Sequence, residues 1–177
     1  MRRLLVVAAI IASCSDPLHG DRVDALGPEA SGVRPGPTHR PGQPCLTCHG
    51  GDGPGGTEFA VAGTVYQTPD VGSPPAVNAT VTIIDAPALG GSLDGTHTIT
   101  TVTNSAGNFY LAKSQYSPVF PLRVEVTTDG LAEPTRMSTH IGRDGSCGSC
   151  HFDPKGPKSP GHVYLVADPA DLPGAKP

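Results

Sequence analysis

The chain has 177 residues, with 12 Lys and Arg, 16 Asp and Glu and 7 His, which gives a net charge of −4 at pH 7. This acidic balance argues against nucleic acid and anionic lipid surfaces as partners, and it favours partner proteins that carry a basic patch. Twenty-three Gly and twenty Pro disfavour long helices, so the composition predicts a loop-rich, mostly β protein.

The first 13 residues have the features of a secretory signal peptide. Residues 1–3 carry positive charge, residues 4–11 are apolar, and small residues precede Cys14. The apolar run is too short to span a membrane. Residues 11–14 resemble the bacterial lipobox, and Ser15 favours sorting to the outer membrane. We predict an exported outer-membrane lipoprotein, lipidated on Cys14, that faces the periplasm or the cell surface; an ordinary cleavage site is the alternative.

The first candidate site follows a linker. Residues 15–38 are rich in Pro, Gly and Asp, which predicts a flexible tether. Residues 39–58 then form a loop around Cys45-Leu-Thr-Cys48-His49. This Cys-x-x-Cys-His pattern is typical of c-type haem attachment, because two thiols can add to the two vinyl groups of one porphyrin. The His becomes the proximal ligand of the iron. The glycine-rich stretch behind it lets backbone pass close to a flat ligand.

Residues 59–136 predict short β-strands separated by turns. Alternating or β-branched runs recur about every ten residues, at 59–66, 79–85, 97–103, 108–111 and 122–126. Asn104-Ser-Ala-Gly107 is a tight turn, and no helical period competes with the strands. The spacing predicts a β-sandwich, with Val81 and Ile83 on one face.

A second Cys-x-x-Cys-His motif, Cys147-Gly-Ser-Cys150-His151, lies in residues 137–166. We predict that this part forms a second haem loop and a closing strand, and that the tail, residues 167–177, is mobile. The two motifs use four of the five cysteines. The predicted cofactors are therefore two covalently bound haems c, with His151 as the second proximal ligand.

Four stretches between the motifs share a family pattern: Gly63-Thr-Val-Tyr66, then residues 75–83, 103–109 and 120–126. They resemble a carboxypeptidase regulatory-like domain. Such a domain between two Cys-x-x-Cys-His loops is also similar to small exported cytochrome-like proteins of metal-respiring and soil bacteria. The resemblance implies a mainly β fold, an immunoglobulin-like or transthyretin-like β-sandwich flanked by two haem-binding loops with little helix. It implies that the domain acts as a structural or interaction module and carries no catalytic activity of its own.

The sixth ligand of each iron is sought among the remaining histidines. His39 precedes His49 by ten residues, and His140 precedes His151 by eleven. An extended ten-residue segment reaches roughly 33 Å, enough to pass round a haem edge. We predict His39 and His140 as distal ligands, each for its own haem or exchanged; surface loop histidines are the alternative.

Four other side chains are weaker candidates for the sixth coordination position of each iron. Met137 is the rival ligand, because Met is another common axial ligand of c-type haem, although a Met is more often a core residue. His162 is expected to face a propionate or solvent. His97 is expected to be structural, and His19 to have no role within the tether.

Other uses of the cysteines remain open alternatives. The two pairs could form one zinc site or disulfides. A thioredoxin-like redox pair would need a βαβ pattern, which the surrounding sequence lacks. The His directly after both pairs favours haem over all of these.

These features predict a membrane-anchored dihaem cytochrome that transfers single electrons outside the cytoplasm and is not an enzyme. Two His ligands per iron would leave no open coordination site. One alternative is a surface interaction module with structural haems. The other is a peroxidase-type enzyme, for which the haem loops offer only Arg40, Arg143 and Asp144. The predicted partners are redox proteins with basic surface patches and other cytochromes that stack haem to haem. A lipid anchor would attach the protein to the membrane. No nucleic-acid partner is expected.

Overall fold

The computed structural model of the protein describes residues 17–85 and 97–175. The predicted signal peptide, residues 1–13, and the predicted lipidation site Cys14 lie outside these ranges. Within them, no helix combines the length and the apolar character needed to cross a membrane.

Strands supply most of the regular structure, as the composition predicts. They are β1 (Phe59–Tyr66), β2 (Thr80–Asp85), β3 (Thr98–Val102), β4 (Asn108–Ala112), β5 (Leu122–Thr127), β6 (Thr135–Arg136) and β7 (Val163–Tyr164). The expectation of a mainly β protein is confirmed. The bounds of β1 coincide with the predicted run, whereas β6 has no counterpart in the prediction because two residues leave no alternating pattern. The predicted closing strand is shortened to β7.

The strands form two sheets. A three-stranded sheet has the order β4-β1-β7, in which β1 is antiparallel to β4 and parallel to β7. A four-stranded antiparallel sheet has the order β3-β2-β5-β6. Burial of apolar side chains from both sheets is the main favourable contribution to folding.

One hydrophobic core receives side chains from both sheets. Val61 and Val65 of β1 are fully buried, as are Val81 and Ile83 of β2 and Leu122 of β5. Burial alternates along β2, because successive side chains of a strand point to opposite faces. The prediction that Val81 and Ile83 share one face is therefore confirmed.

Helical structure is short and includes one unexpected element. Each Cys-x-x-Cys-His motif contains about one turn: α2 (Leu46–His49) and a 3₁₀ turn, Cys147–Ser149. A second 3₁₀ turn, Pro169–Asp171, lies in the tail. The difference is α1 (Pro17–Ala25), which lies in the segment predicted to be a flexible tether.

Long-range hydrogen bonds explain why local sequence did not predict α1. The Arg40 side chain donates to the carbonyl oxygens of Leu26 and Gly27, at 3.3 and 2.7 Å, just beyond the end of the helix. It also forms an ion pair of 2.9 Å with Glu29. Carbonyls at a helix C-terminus need such partners, and here the donor comes from the loop of residues 39–58 rather than from the helix itself.

The buried face of β2 can be tested with a matched pair of variants. Val81→Ala removes two methyl groups from a fully buried site and should lower the free energy of unfolding by roughly 2 kcal/mol. Val71→Ala removes the same groups from a side chain that is 73% exposed, and it should change stability by less than about 0.5 kcal/mol. Urea titration would measure both, and equal effects would contradict the assigned core.

Candidate functional site

The first Cys-x-x-Cys-His motif folds into a single helical turn. The backbone N–H of His49 donates to the carbonyl oxygen of Cys45 at 2.9 Å, and the N–H of Cys48 donates to the same oxygen at 3.2 Å. In a helix, residues three and four positions apart lie on one face. The turn therefore presents both thiols and the imidazole on the same side, which is the arrangement that one porphyrin needs.

The second motif repeats the same pattern of hydrogen bonds. The N–H groups of Cys150 and His151 donate to the carbonyl oxygen of Cys147, at 3.2 and 2.8 Å. The two turns therefore have equivalent backbone bonding, although one follows a proline-rich loop and the other an irregular segment after β6. This repetition indicates two sites of one kind.

Each motif histidine also has its ring held in one orientation. Nδ1 of His49 lies 2.9 Å from the carbonyl oxygen of Thr57, and Nδ1 of His151 lies 3.0 Å from that of Gly161. A carbonyl oxygen can only accept, so Nδ1 carries the proton in both rings. The unprotonated nitrogen is then Nε2, which is the state of an imidazole that binds a metal.

A cleft of about 450 Å³ opens on the first motif. Cys45, Cys48 and His49 line it together with His39, and the aromatic rings of Phe59, Phe109 and Tyr110 form part of its wall. This volume lies within the range of small-molecule and cofactor sites. The cleft combines two thiols, two imidazoles and apolar surface, which is a donor set that fits haem c.

The glycines after the first motif pack closely against it. A Cβ atom on Gly53 would lie 2.3 Å from the carbonyl oxygen of Cys48, and one on Gly55 would lie 2.4 Å from Nδ1 of His49. Neither distance is tolerated by a real side chain, so this segment needs glycine for a close approach. The close approach seen here is to the motif itself, and close passage to a flat ligand stays a prediction.

The structure brings His39 next to His49. The two ring centres lie 5.8 Å apart with an angle of 42° between the planes, and Nδ1 of His39 donates to the carbonyl oxygen of Gly36. Two imidazoles that bind one metal from opposite sides have ring centres roughly 6 Å apart, because each metal–nitrogen bond is about 2 Å long. The spacing of His39 and His49 therefore fits a shared iron.

The segment that carries His39 is docked on β1 and β4 by buried polar groups. The Asn108 amide donates to the carbonyl oxygen of His39 at 3.0 Å, and the Asn104 amide donates to that of Pro37 at 2.6 Å. Thr64 accepts from the N–H of Gly42 and donates to Asn108, both at 2.7 Å. In the sequence, Asn104 is recognisable only as a turn residue, and no local pattern marks Thr64 or Asn108 as supports.

His140 is placed differently from His39. It is exposed and directly precedes Ile141, whose backbone pairs with Leu122 at the start of β5. Within the described part of the chain, no hydrogen bond or ring contact joins it to His151. The rival Met137 is half-buried, and its N–H donates to Val124 at 3.0 Å. The structure thus brings together the predicted pair of the first site only.

The prediction that His162 faces a propionate or solvent is wrong. The residue is 4% exposed, and its ring nitrogens are both engaged: Nδ1 lies 2.8 Å from the carboxylate of Asp153, and Nε2 lies 2.8 Å from the carbonyl oxygen of Thr68. The ring also packs 4.4 Å from that of Tyr66. His162 therefore ties the second haem loop to the end of β1, instead of facing solvent or a propionate.

The two histidines not yet described, His97 and His19, differ in their surroundings. His97 contacts Asp85 at 3.7 Å and stacks on Tyr116 at the larger sheet, as expected of a structural residue. His19 was expected to have no role, yet its Nε2 is buried without a hydrogen-bond partner. It lies on α1, which packs against α2 and hence against the first motif.

The leading cysteine of each motif has a raised pKa. Burial raises the pKa of Cys45 to about 11. Burial, with additional contributions from nearby Cys45 and Asp144, raises that of Cys147 to about 12. Redox-active dithiols have lowered values, so the direction is opposite to that of a thioredoxin-like site. The four described cysteines are free thiols, and no group of three or more His, Cys, Asp or Glu side chains in residues 17–85 and 97–175 is arranged to hold a metal ion.

Comparison with known proteins adds no family assignment. No protein-family model, no curated protein and no solved structure matches the chain. The chemistry of the two sites therefore has to be inferred from their own geometry.

Burial of the leading thiols can be tested on haem-free protein. At pH 8 iodoacetamide should label Cys45 and Cys147 more slowly than the exposed Cys150, because only the thiolate reacts and raised pKa values reduce its fraction. The labelling rates of Cys45 and Cys147 should rise about tenfold per pH unit as long as the pH stays below the pKa of each thiol. Peptide mass spectrometry gives the rate at each site, and labelling in urea is the control. Equal rates in the folded protein would contradict the structure.

Proposed function

We propose that the protein is a membrane-anchored dihaem c-type cytochrome that transfers single electrons outside the cytoplasm. The observation that carries the proposal is the repeated site geometry. Two Cys-x-x-Cys-His turns have equivalent backbone bonding, and in both the histidine Nδ1 is held by a carbonyl oxygen eight to ten residues later. A disulfide needs no such control of the imidazole, whereas a histidine that binds a metal does. The Cys-x-x-Cys pair directly before each histidine favours haem c over zinc as the source of that metal.

The residues of each site would have distinct tasks. Cys45 and Cys48 would hold the first haem by thioether bonds, with His49 and His39 as its axial ligands. Cys147, Cys150 and His151 would hold the second, for which His140 remains the predicted distal ligand. Bound haem supplies an iron that accepts and releases one electron. The protein orients the imidazoles and shields the iron from solvent.

The scaffold in this proposal is a transthyretin-like β-sandwich of the immunoglobulin-like type. Two sheets that share one hydrophobic core support it, as does the antiparallel order β3-β2-β5-β6. The scaffold has no chemistry of its own in this view. It holds the two haem loops, and the predicted lipid on Cys14 would keep the protein at the outer membrane. The acidic chain would meet redox partners through their basic patches.

A carrier is favoured over a haem enzyme at the first site, because His39, whose ring lies 5.8 Å from that of His49, would as the distal ligand fill the position where a substrate binds the iron. An enzyme is the second candidate, and one observation favours it. Arg143 and Asp144 line another cleft, of about 430 Å³, that reaches Leu46 within the first motif and Gly50 directly after it. Such groups could assist acid–base chemistry if an iron were open to ligands.

Covalent haem is tested by expression in a host that matures c-type cytochromes. The protein should gain the mass of two haems, and a pyridine haemochrome spectrum should count two per chain. Cys45→Ala/Cys48→Ala and Cys147→Ala/Cys150→Ala should each lose one haem, because each motif supplies both thioether bonds of its own cofactor. A colourless protein with the mass of the polypeptide alone would contradict the proposal.

The axial role of His39 is tested by carbon monoxide binding. In His39→Ala, one additional haem per protein should bind carbon monoxide, because the variant opens one coordination position. His97→Ala is the matched control, since His97 contacts Asp85 and Tyr116 rather than the cleft. Difference spectra of the reduced proteins measure the binding. An unchanged low-spin spectrum in His39→Ala would exclude this ligand, and carbon monoxide binding by both haems of the unmodified protein would favour the enzyme.

A further inference from the structure

The two Cys-x-x-Cys-His turns, about a hundred residues apart in the chain, are packed against each other. Gly148, the residue after Cys147, is buried against the segment that leads into Cys45. A Cβ atom on Gly148 would lie 2.6 Å from the carbonyl carbon and oxygen of Gln43 and 2.8 Å from the nitrogen of Pro44. Backbone therefore touches backbone at this point, and any side chain would have to push the two turns apart.

A second glycine seats Cys147 on β1. A Cβ atom on Gly63 would lie 2.7 Å from Cβ and 2.9 Å from Sγ of Cys147, and 3.1 Å from the ring of Phe109. Phe109 lines the cleft of the first motif. Sγ of Cys147 thus lies close to a wall of the first cleft. It occupies space that a side chain at position 63 would otherwise fill.

These contacts limit how far apart the two attachment points can be. Successive Cα atoms are about 3.8 Å apart, so the contact at Gly148 places the Cα atoms of Cys45 and Cys147 no more than about 14 Å from each other. The electrostatic contribution of Cys45 to the raised pKa of Cys147 agrees with this proximity.

We infer that Gly63 and Gly148 are positioning residues that hold the two haem attachment turns in contact, so that the two haems form one electronically interacting pair within a single molecule. This inference rests on the proposed function and extends it. Transfer within the pair moves one electron from the reduced iron to the oxidised iron and leaves every bond in place. The outer donor and acceptor are redox proteins. An electron received at one motif can therefore leave from the other.

The pair is tested first on the unmodified holoprotein by circular dichroism in the Soret band. Two adjacent haems should give a bisignate signal that is absent from an equimolar mixture of Cys45→Ala/Cys48→Ala and Cys147→Ala/Cys150→Ala, which carry one haem each. A signal equal to that of the mixture would overturn the inference while leaving two haems, and hence the proposed function, in place. Protein without haem would instead contradict the proposed function.

The role of the glycines is tested with three alanine variants of the holoprotein. Gly148→Ala and Gly63→Ala should lose most of the bisignate signal and bring the two reduction potentials closer together, because the added Cβ forces the turns apart. Gly142→Ala is the matched control in the same loop: nothing lies within 4 Å of its Cβ position. Haem content must stay at two per chain. Unchanged coupling in Gly148→Ala would overturn the assignment, and if that variant fails to fold, the comparison with single-haem proteins decides.

Discussion

Strand β1 is the constraint on which both candidate sites depend. Along one edge it pairs with β4, and along the other it contacts the chain on both sides of the second Cys-x-x-Cys-His turn. The N–H of Ala62 donates to Gly145 at 3.0 Å just before that turn, and β7 pairs in parallel with the end of β1 after it. The first loop runs directly into Phe59. A single strand thus fixes where both Cys-x-x-Cys-His turns begin or end.

Buried polar groups make this arrangement specific. Thr64 and Asn108 sit opposite each other on β1 and β4 and hydrogen-bond to each other, and the docked His39 segment supplies the acceptor for the Asn108 amide. His162 plays the corresponding part for the second loop, between Asp153 and Thr68. Leaving such a buried group without a partner costs about 1–3 kcal/mol, so detached loops are disfavoured. Hydrophobic packing holds the sheets together, and these hydrogen bonds set the position of the loops.

Features encoded within a few neighbouring residues were predictable from the sequence. The alternation in 59–66 and 79–85 predicted β1 and β2. Features that depend on distant partners were not. Helix α1 needs Arg40, the burial of His162 needs Asp153 and Thr68, and the support of His39 needs Asn108 from β4. None of these contacts leaves a periodic or spaced signal in the chain.

The contact between the two motifs also depends on distant residues, which the β scaffold brings together, and not on local sequence. Each pair of thioether bonds would close a short loop within one motif, so haem attachment alone cannot bring the motifs together. Their proximity comes from Gly148, where two backbones meet, and from Gly63, where the Cys147 side chain packs directly on the backbone of β1. A close approach of this kind is available only to glycine and only when β1 is formed. In the proposed cytochrome, the β scaffold would therefore contribute to electron transfer by geometry, because unfolding it would leave two covalently attached haems that no longer form a pair.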